Sequence, residues 1–152
     1  MRRLIASWFG SGLILGRIRG DHIGSGTVGA AVAFVLAIIT GNQFGVWGQA
    51  MALVVVTAAS LWASGPFVTD EGDAGWIVID EAAGTFLALL GLGLSPAAFI
   101  AFAVFRAADI FKNVFPGVAA AENIGGPVGV TADDLVAGLY GLAAGQAVRL
   151  LL

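Results

Sequence analysis

The sequence predicts an all-α fold, a compact polytopic bundle of about four to five hydrophobic helices in a membrane. Hydrophobic residues make up 59% of the 152 residues and charged residues only 11%, and the mean hydropathy is +0.95. Soluble domains carry about 25% charged residues. The length fits one domain, residues 1–152, with room for roughly four or five crossings of about 20 residues each.

The N-terminal segment, residues 4–16, is expected to be retained as a short interfacial or re-entrant segment. Arg2 and Arg3 precede an apolar run, as they would in a signal peptide. Gly10 and Gly12 interrupt that run, however, and no small-x-small cleavage site precedes a polar mature start.

Five hydrophobic stretches are predicted to form the helices. In chain order they are residues 29–40, 47–62, 81–94, 97–112 and 132–152. The tryptophans at the ends of the second stretch suit the two membrane interfaces. The third and fourth would each span little more than about 20 Å, short of a 30 Å hydrocarbon core, so their charged ends are expected near the headgroups.

Turns and loops are predicted where glycine, proline and polar residues cluster between these stretches. A turn at Gly41-Asn42 separates the first two helices, and residues 64–75 form a surface loop. A tight turn around Gly91, Gly93 and Pro96 joins the third and fourth helices, and residues 114–130 form the loop before the last helix. Gly138 and its glycine and alanine neighbours are the residues that close helix packing in lipid uses.

Sixteen of the seventeen charged residues fall into groups that this topology returns to one side of the membrane. The exception, Arg149, is expected to snorkel. The cations among the sixteen place that side in the cytoplasm by the positive-inside rule. A net charge of −3 argues against a nucleic-acid partner. The absence of cysteine excludes disulfides, thiolate zinc sites and a cysteine nucleophile.

Acidic residues from three predicted helices can converge at this side of the membrane. They are Asp80, Glu81, Asp109, Asp133 and Asp134. Such hard oxygen ligands suit Mg²⁺. Arg106, Asp109 and Lys112 recur every three residues, which places two cations beside one of the acids. Carboxylates, a metal and cations together are typical of a site that handles phosphate.

Each of these features also has a purely structural interpretation. The stretch 131–134 fits a capping box, and Asp80-Glu81 suits the start of a helix. Arg106 with Asp109 or Lys112 could be an interfacial charge ladder.

Four other polar residues and one glycine-rich segment also have a structural interpretation. His22 is not expected to act as a catalytic base, and Asp70, Glu71 and Asp73 are expected in a solvated loop. Residues 24–27, before the first helix, fit an anion cradle or a packing turn equally well.

Three segments resemble the signature segments of the phosphatidylglycerophosphatase A family. They are residues 79–84 (IDEAAG), 105–112 (FRAADIFK) and 133–138 (DDLVAG), in the family's order and approximate spacing. Residues 9–12 (FGSG) and 26–29 (GTVG) resemble its glycine-rich opening. The resemblance implies a small, mostly helical, Mg²⁺-dependent enzyme of the bacterial inner membrane. Such an enzyme converts phosphatidylglycerophosphate to phosphatidylglycerol in phospholipid biosynthesis.

The resemblance also implies roles for individual residues. The catalytic and metal-binding residues would be Asp80, Glu81, Asp109, Asp133 and Asp134, and those facing the substrate phosphate would be Arg106, Lys112 and Thr27.

The chain departs from the family pattern around this site. Asn113 and Val114 follow Lys112 where the family usually has proline, and Glu122-Asn123 stands where an Asp-Arg pair is common. Ser25 replaces a proline in the opening, and the approach to Asp133 is one residue longer. The acids are kept, whereas the expected contacts to the lipid headgroup change.

The mechanism expected from these residues is attack of water on the phosphorus with a carboxylate as base, and an aspartyl-phosphate intermediate is the alternative. Two other functions are compatible with the pattern. One is a non-catalytic membrane protein or transporter whose acids bind a cation or proton. The other is a phosphotransferase acting on nucleotide-linked alcohols, although its widely spaced aspartates with an Asp-Gly start are missing.

Overall fold

Helices are the only regular secondary structure within residues 1–68 and 74–152, the residues that this computed structural model describes. In chain order they are α1 (Arg2–Ala6), a 3₁₀ helix (Ser11–Leu13), α2 (Ile14–Arg19), α3 (Ser25–Ser64), α4 (Ile79–Ala88), α5 (Pro96–Ile110), α6 (Val118–Glu122) and α7 (Gly126–Leu151). The all-α prediction is confirmed. The predicted loop acids Asp70, Glu71 and Asp73 lie outside the described residues.

Helix α3 folds back on itself at Gly45. This glycine has φ 67° and ψ −167°, in the region that favours glycine. Gln49 Nε2 donates to the Ala37 carbonyl at 3.0 Å, although twelve residues of straight helix would rise about 18 Å. Two antiparallel arms result, a first arm of residues 25–44 and a second arm of residues 46–64. The turn predicted at Gly41-Asn42 is therefore wrong by a few residues.

Helix α3 is also the one described helix with the length and composition to cross a membrane, and few residues of its most apolar stretch are buried. Helices α4 and α5, with 10 and 15 residues, are about 15 and 22 Å long. Helix α7 carries Asp133, Asp134 and Arg149. The predicted bundle of four to five crossing helices is therefore not confirmed.

Small residues bring α7 into close contact with α5 and with α4. A Cβ added at Gly141 would lie 2.6 Å from the Ala101 carbonyl oxygen, and one at Gly145 would lie 3.2 Å from that of Ala97. Helices α5 and α7 are therefore antiparallel. Phe105, fully buried, fills the space beside them. This is the packing by small residues that membrane helices use, and Gly138 takes part in it as expected.

Two predicted helix boundaries are wrong, each for a local reason. Helix α4 ends at Ala88 instead of residue 94 because polar side chains bind the carbonyls that follow. Gln146 Nε2 donates to Leu90 at 2.9 Å and Arg149 Nη1 to Gly91 at 3.1 Å. Helix α7 begins at Gly126, inside the predicted loop 114–130, with Pro127 in its first turn. That loop also contains α6.

The N-terminal segment packs against the start of α4. Val78 N donates to the Ala6 carbonyl at 2.9 Å, and Trp8 is buried. Gly12 has no room for a side chain beside the Trp76 carbonyl. The segment thus holds the first turn of α4 in place, while its position relative to a membrane stays a prediction.

Candidate active site

Residues from four helices meet at one end of the molecule. The first turn of α4 supplies Asp80 and Glu81, and α7 supplies Asp133 and Asp134. The last turns of α5 carry Arg106 and Asp109, and the first turn of α3 contains Gly26 and Thr27. Seven of the eight residues proposed for the site from the sequence lie on these segments. The eighth, Lys112, follows α5.

A contact between two glycines sets the distance between α4 and α7. A Cβ added at Gly138 would lie 2.7 Å from the Gly84 carbonyl oxygen, and one at Gly84 would lie 2.6 Å from the Asp134 carbonyl oxygen. Asp80 and Asp134 each precede one of these glycines by four residues, about one turn. Residues four apart share a helix face. The two carboxylates are therefore brought together by the same contact that packs the helices.

Three carboxylates form a buried cluster at this crossing. One ligand oxygen each from Asp80, Glu81 and Asp134 lies within 4.8 Å of the others. Asp80 and Asp134 are only 2% and 3% exposed. Burial raises the pKa of Glu81 well above its usual range, and Asp80 and Asp134 raise it further. Burial likewise raises the pKa of Asp134, with Asp109 and Asp80 adding to the effect.

The cluster has the properties of a site for a hard divalent cation. Glu81 Oε2 and Asp134 Oδ1 are buried with no hydrogen-bond partner among the described residues. Buried carboxylate oxygens without partners are costly, and three adjacent carboxylates cannot all ionise without a counter-charge. A divalent ion that prefers oxygen ligands, such as Mg²⁺, would satisfy both requirements. The donor set thus fits the metal expected from the sequence, although no ion is identified.

Arg106 lies directly beside the acidic cluster. Its Nη1 forms an ion pair with Asp109 Oδ2 at 2.7 Å, and its Nη2 donates to Thr27 Oγ1 at 3.4 Å. Gly26 permits this approach of α3, because an added Cβ would collide with Glu81 Oε1 and lie 3.3 Å from Arg106 Nη2. The structure therefore brings together Arg106, Asp109 and Thr27 next to the three carboxylates.

Lys112 forms a second charged group with Asp133 and Glu122. Its Nζ lies 2.5 Å from Asp133 Oδ2 and 2.7 Å from Glu122 Oε1. Burial works against the charge of Lys112, but the hydrogen bonds to Asp133 and Glu122 hold its pKa above the usual range. Burial raises the pKa of Asp133 to about 6 in spite of the lysine. Asp133 is therefore held by Lys112 and is not one of the three clustered carboxylates.

The structure agrees with some of the purely structural interpretations of these residues and not with others. The capping box at residues 131–134 is wrong, because these residues lie inside α7 and Thr131 Oγ1 bonds Ser60 Oγ at 2.8 Å. Asp80 and Glu81 do occupy the first turn of α4. His22 is not part of the carboxylate cluster, and its Nδ1 lies 3.3 Å from the Gly12 carbonyl oxygen. Gly26 packs closely against Glu81, as the packing-turn interpretation of residues 24–27 expects, and the anion cradle stays a prediction.

Sequence reasoning missed three contributors to this geometry. In the sequence Glu122 stands out only as a departure from the family, whereas in the structure it pairs with Lys112. The sequence places Gly26 in the glycine-rich opening and in the segment 24–27, but does not predict its contact with Glu81; Gly84 is predicted only as part of a signature segment. A signal was available for Gly84, because it and Gly138 each follow an acid by four residues.

The sequence is similar to known proteins over most of its length. The family model described as "Phosphatidylglycerophosphatase A" matches residues 4–149. A Bacteroides thetaiotaomicron protein named "Putative phosphatidylinositol-3-phosphatase" is 33% identical over 146 residues, which cover 90% of this chain and 86% of the relative. No solved structure matches the chain. Because the family match spans nearly the whole sequence, the chain belongs to the phosphatidylglycerophosphatase A family and is a phosphatase.

Proposed function

We propose that this protein is a Mg²⁺-dependent lipid phosphatase that hydrolyses the terminal phosphomonoester of phosphatidylglycerophosphate. The products are phosphatidylglycerol and inorganic phosphate. Membership of a phosphatase family sets aside the alternative of a non-catalytic protein that binds a cation or proton. The family also supports a role in phospholipid metabolism.

The observation that carries this proposal is the buried cluster of Asp80, Glu81 and Asp134 with Arg106 beside it. These three carboxylates would hold the metal. When bound, Mg²⁺ would supply Lewis-acid stabilisation of the charge on the phosphoryl oxygens. A phosphomonoester carries up to two negative charges, which the carboxylates alone would repel. A divalent cation would therefore neutralise the acids and also attract the negatively charged phosphate of the substrate.

The remaining charged residues have distinct tasks in this mechanism. Arg106, held by Asp109 and Thr27, would donate hydrogen bonds to phosphoryl oxygens and orient the group. Asp109 or Asp133, which lie outside the cluster, would accept a proton from the attacking water. Water adds to phosphorus as the carboxylate takes its proton, the bond from phosphorus to the glycerol oxygen breaks, and that oxygen receives the proton from the carboxylic acid so formed. Lys112 keeps Asp133 in position.

The site is proposed to lie at the cytoplasmic face of the bacterial inner membrane, with the two arms of α3 as membrane passes. At 20 and 19 residues, each arm is about 30 Å long. Arg2 lies 4.7 Å from the Trp62 ring and Arg3 lies 5.2 Å from the Trp76 ring, at the same end as the acids. Arg149 lies at the opposite end, beside Gly91. This asymmetry supports the orientation through the positive-inside rule.

The experiment is a substrate comparison with the purified protein in detergent. Phosphate release is measured from phosphatidylglycerophosphate, phosphatidylinositol 3-phosphate and a soluble phosphomonoester, each with Mg²⁺ and with excess chelator. The proposal expects metal-dependent release that is fastest from phosphatidylglycerophosphate. Preference for the inositol lipid would reassign the substrate, and release unaffected by chelator would reject the metal.

A further inference from the structure

An apolar groove runs along the second arm of α3, between that arm and helices α4 and α7. It has a volume of about 460 Å³. Its lining includes Leu53 and Leu61 from the arm, Leu87 from α4, and Leu135 and Leu139 from α7. Among the described residues that line it, Thr57 alone carries a hydroxyl. A groove of this composition suits a hydrocarbon chain and offers almost nothing to a polar ligand.

The groove begins at the level of the acidic cluster along α7. Leu135, in its lining, directly follows Asp134 in α7. The hydrogen bond from Ser60 to Thr131, at 2.8 Å, joins the second arm to α7 one turn before Leu135. Leu139 lies five residues beyond Asp134, about 7.5 Å further along the helix axis. The groove therefore leads away from the acids, along the arm proposed to cross the membrane.

We propose that this groove receives one acyl chain of the lipid substrate while the phosphate lies at the acidic cluster. The inference rests on the proposed function, because it requires a lipid phosphomonoester. The position of the groove indicates its occupant, because the groove is apolar along its length and begins at the level of the charged site. A diacyl phosphomonoester has the same arrangement, with its charge at one end of its hydrocarbon.

The groove acts mainly by positioning the lipid. An acyl chain is surrounded by hydrocarbon both in the groove and in the bilayer. The hydrophobic effect therefore contributes little to moving the chain from the bilayer into the groove. Fixing the chain, however, fixes the phosphate relative to the acids, and a misplacement of about 1 Å can cost about 10²-fold in rate. The groove should therefore affect long-chain substrates and leave short-chain ones unaffected.

The test fills the groove with the variant Ala58→Phe. Ala58 lines the groove and is exposed, so the added ring displaces no core side chain. We expect kcat/KM to fall about tenfold for long-chain phosphatidylglycerophosphate and to stay within about twofold for a short-chain analogue with the same headgroup. The short-chain activity also reports that the variant is folded. The matched control Ala103→Phe, at an exposed position on α5 outside the groove, should change neither value.

Equal losses with both substrates, or no loss with either, would overturn the groove proposal. A second readout does not depend on activity. Because the chain has no cysteine, Ala58→Cys provides a single thiol whose reaction with a maleimide can be timed. Long-chain phosphatidylglycerophosphate should slow labelling more than phosphatidylcholine with the same chains, and equal rates would reject the groove. If the unmodified protein releases no phosphate from any lipid, the proposed function fails, and the labelling still decides whether the groove holds the chain.

Discussion

Replacing Gly138 by alanine should disturb the stability and the activity of the protein together. The added Cβ would lie 2.7 Å from the Gly84 carbonyl oxygen and 3.3 Å from the Gly84 Cα. Ordinary contacts of a Cβ begin near 3.4 Å, so α7 must move away from α4 by about 0.7 Å. The neighbouring atoms are backbone, so no flexible side chain can absorb the movement. Overpacking of this kind costs about 1–3 kcal/mol.

The same movement separates the acids. Asp80 and Asp134 lie one turn from the contacting glycines, so a shift of α7 moves their carboxylates apart by a similar distance. Since a misplacement of about 1 Å can reduce a rate about 10²-fold, we expect kcat/KM to fall by about 10- to 100-fold.

The assay is thermal unfolding in detergent combined with phosphate release from phosphatidylglycerophosphate. The matched control is Gly65→Ala, at a right-handed helical position where the added Cβ would have its nearest neighbour at 3.9 Å. This control should be neutral or slightly stabilising. If Gly138→Ala kept both the Tm and the activity of the control, the glycine contact would not set the spacing of the acids.

Three further predictions concern the charged residues of the site. Asp80→Asn and Asp134→Asn should each lower turnover at least about 10²-fold while the protein remains folded; full activity in both variants would reject the site. Arg106→Gln should lower kcat/KM about 10²-fold for phosphatidylglycerophosphate, whereas the exposed Arg19→Gln should match the unmodified protein; equal activities in the two variants would remove Arg106 from phosphate binding. Asp133 has a folded pKa of about 6 against a usual 3.8, so the folded state binds its proton more tightly. The free energy of unfolding of the metal-free protein should therefore fall by about 3 kcal/mol through this group as pH rises from 3.8 to about 6. Thermal unfolding with chelator in which stability rises over that pH interval would contradict the assignment.

The acids could be found from the sequence because charge is rare in this chain. With 11% charged residues, each carboxylate in an apolar stretch stands out, and Asp80, Glu81 and Asp134 do lie together. The pairing of Arg106 with Asp109 follows from their three-residue spacing, whereas the separation of Asp133 from the cluster could not be predicted, because Lys112 reaches Asp133 and Glu122 across a loop. That contact depends on tertiary structure, which periodicity does not report.

The helix boundaries were harder to predict because several residue types have two uses. Gly41 and Gly45 both favour a turn, and only the second has the positive φ that reverses α3. Pro127 marks a loop in most contexts, yet here it lies in the first turn of α7. The early end of α4 depends on Gln146 and Arg149, whose hydrogen bonds to Leu90 and Gly91 span more than fifty residues.

Direct binding of a divalent cation tests most simply whether the three carboxylates form a metal site. Mn²⁺ can replace Mg²⁺ as a paramagnetic probe, and its free fraction can be followed by electron paramagnetic resonance in detergent. We predict saturable binding to the unmodified protein, competition by Mg²⁺, and loss of binding in Asp134→Asn, with tighter binding at higher pH because the carboxylates must be deprotonated. Equal binding by Asp134→Asn and the unmodified protein would contradict the assignment of the metal to Asp80, Glu81 and Asp134.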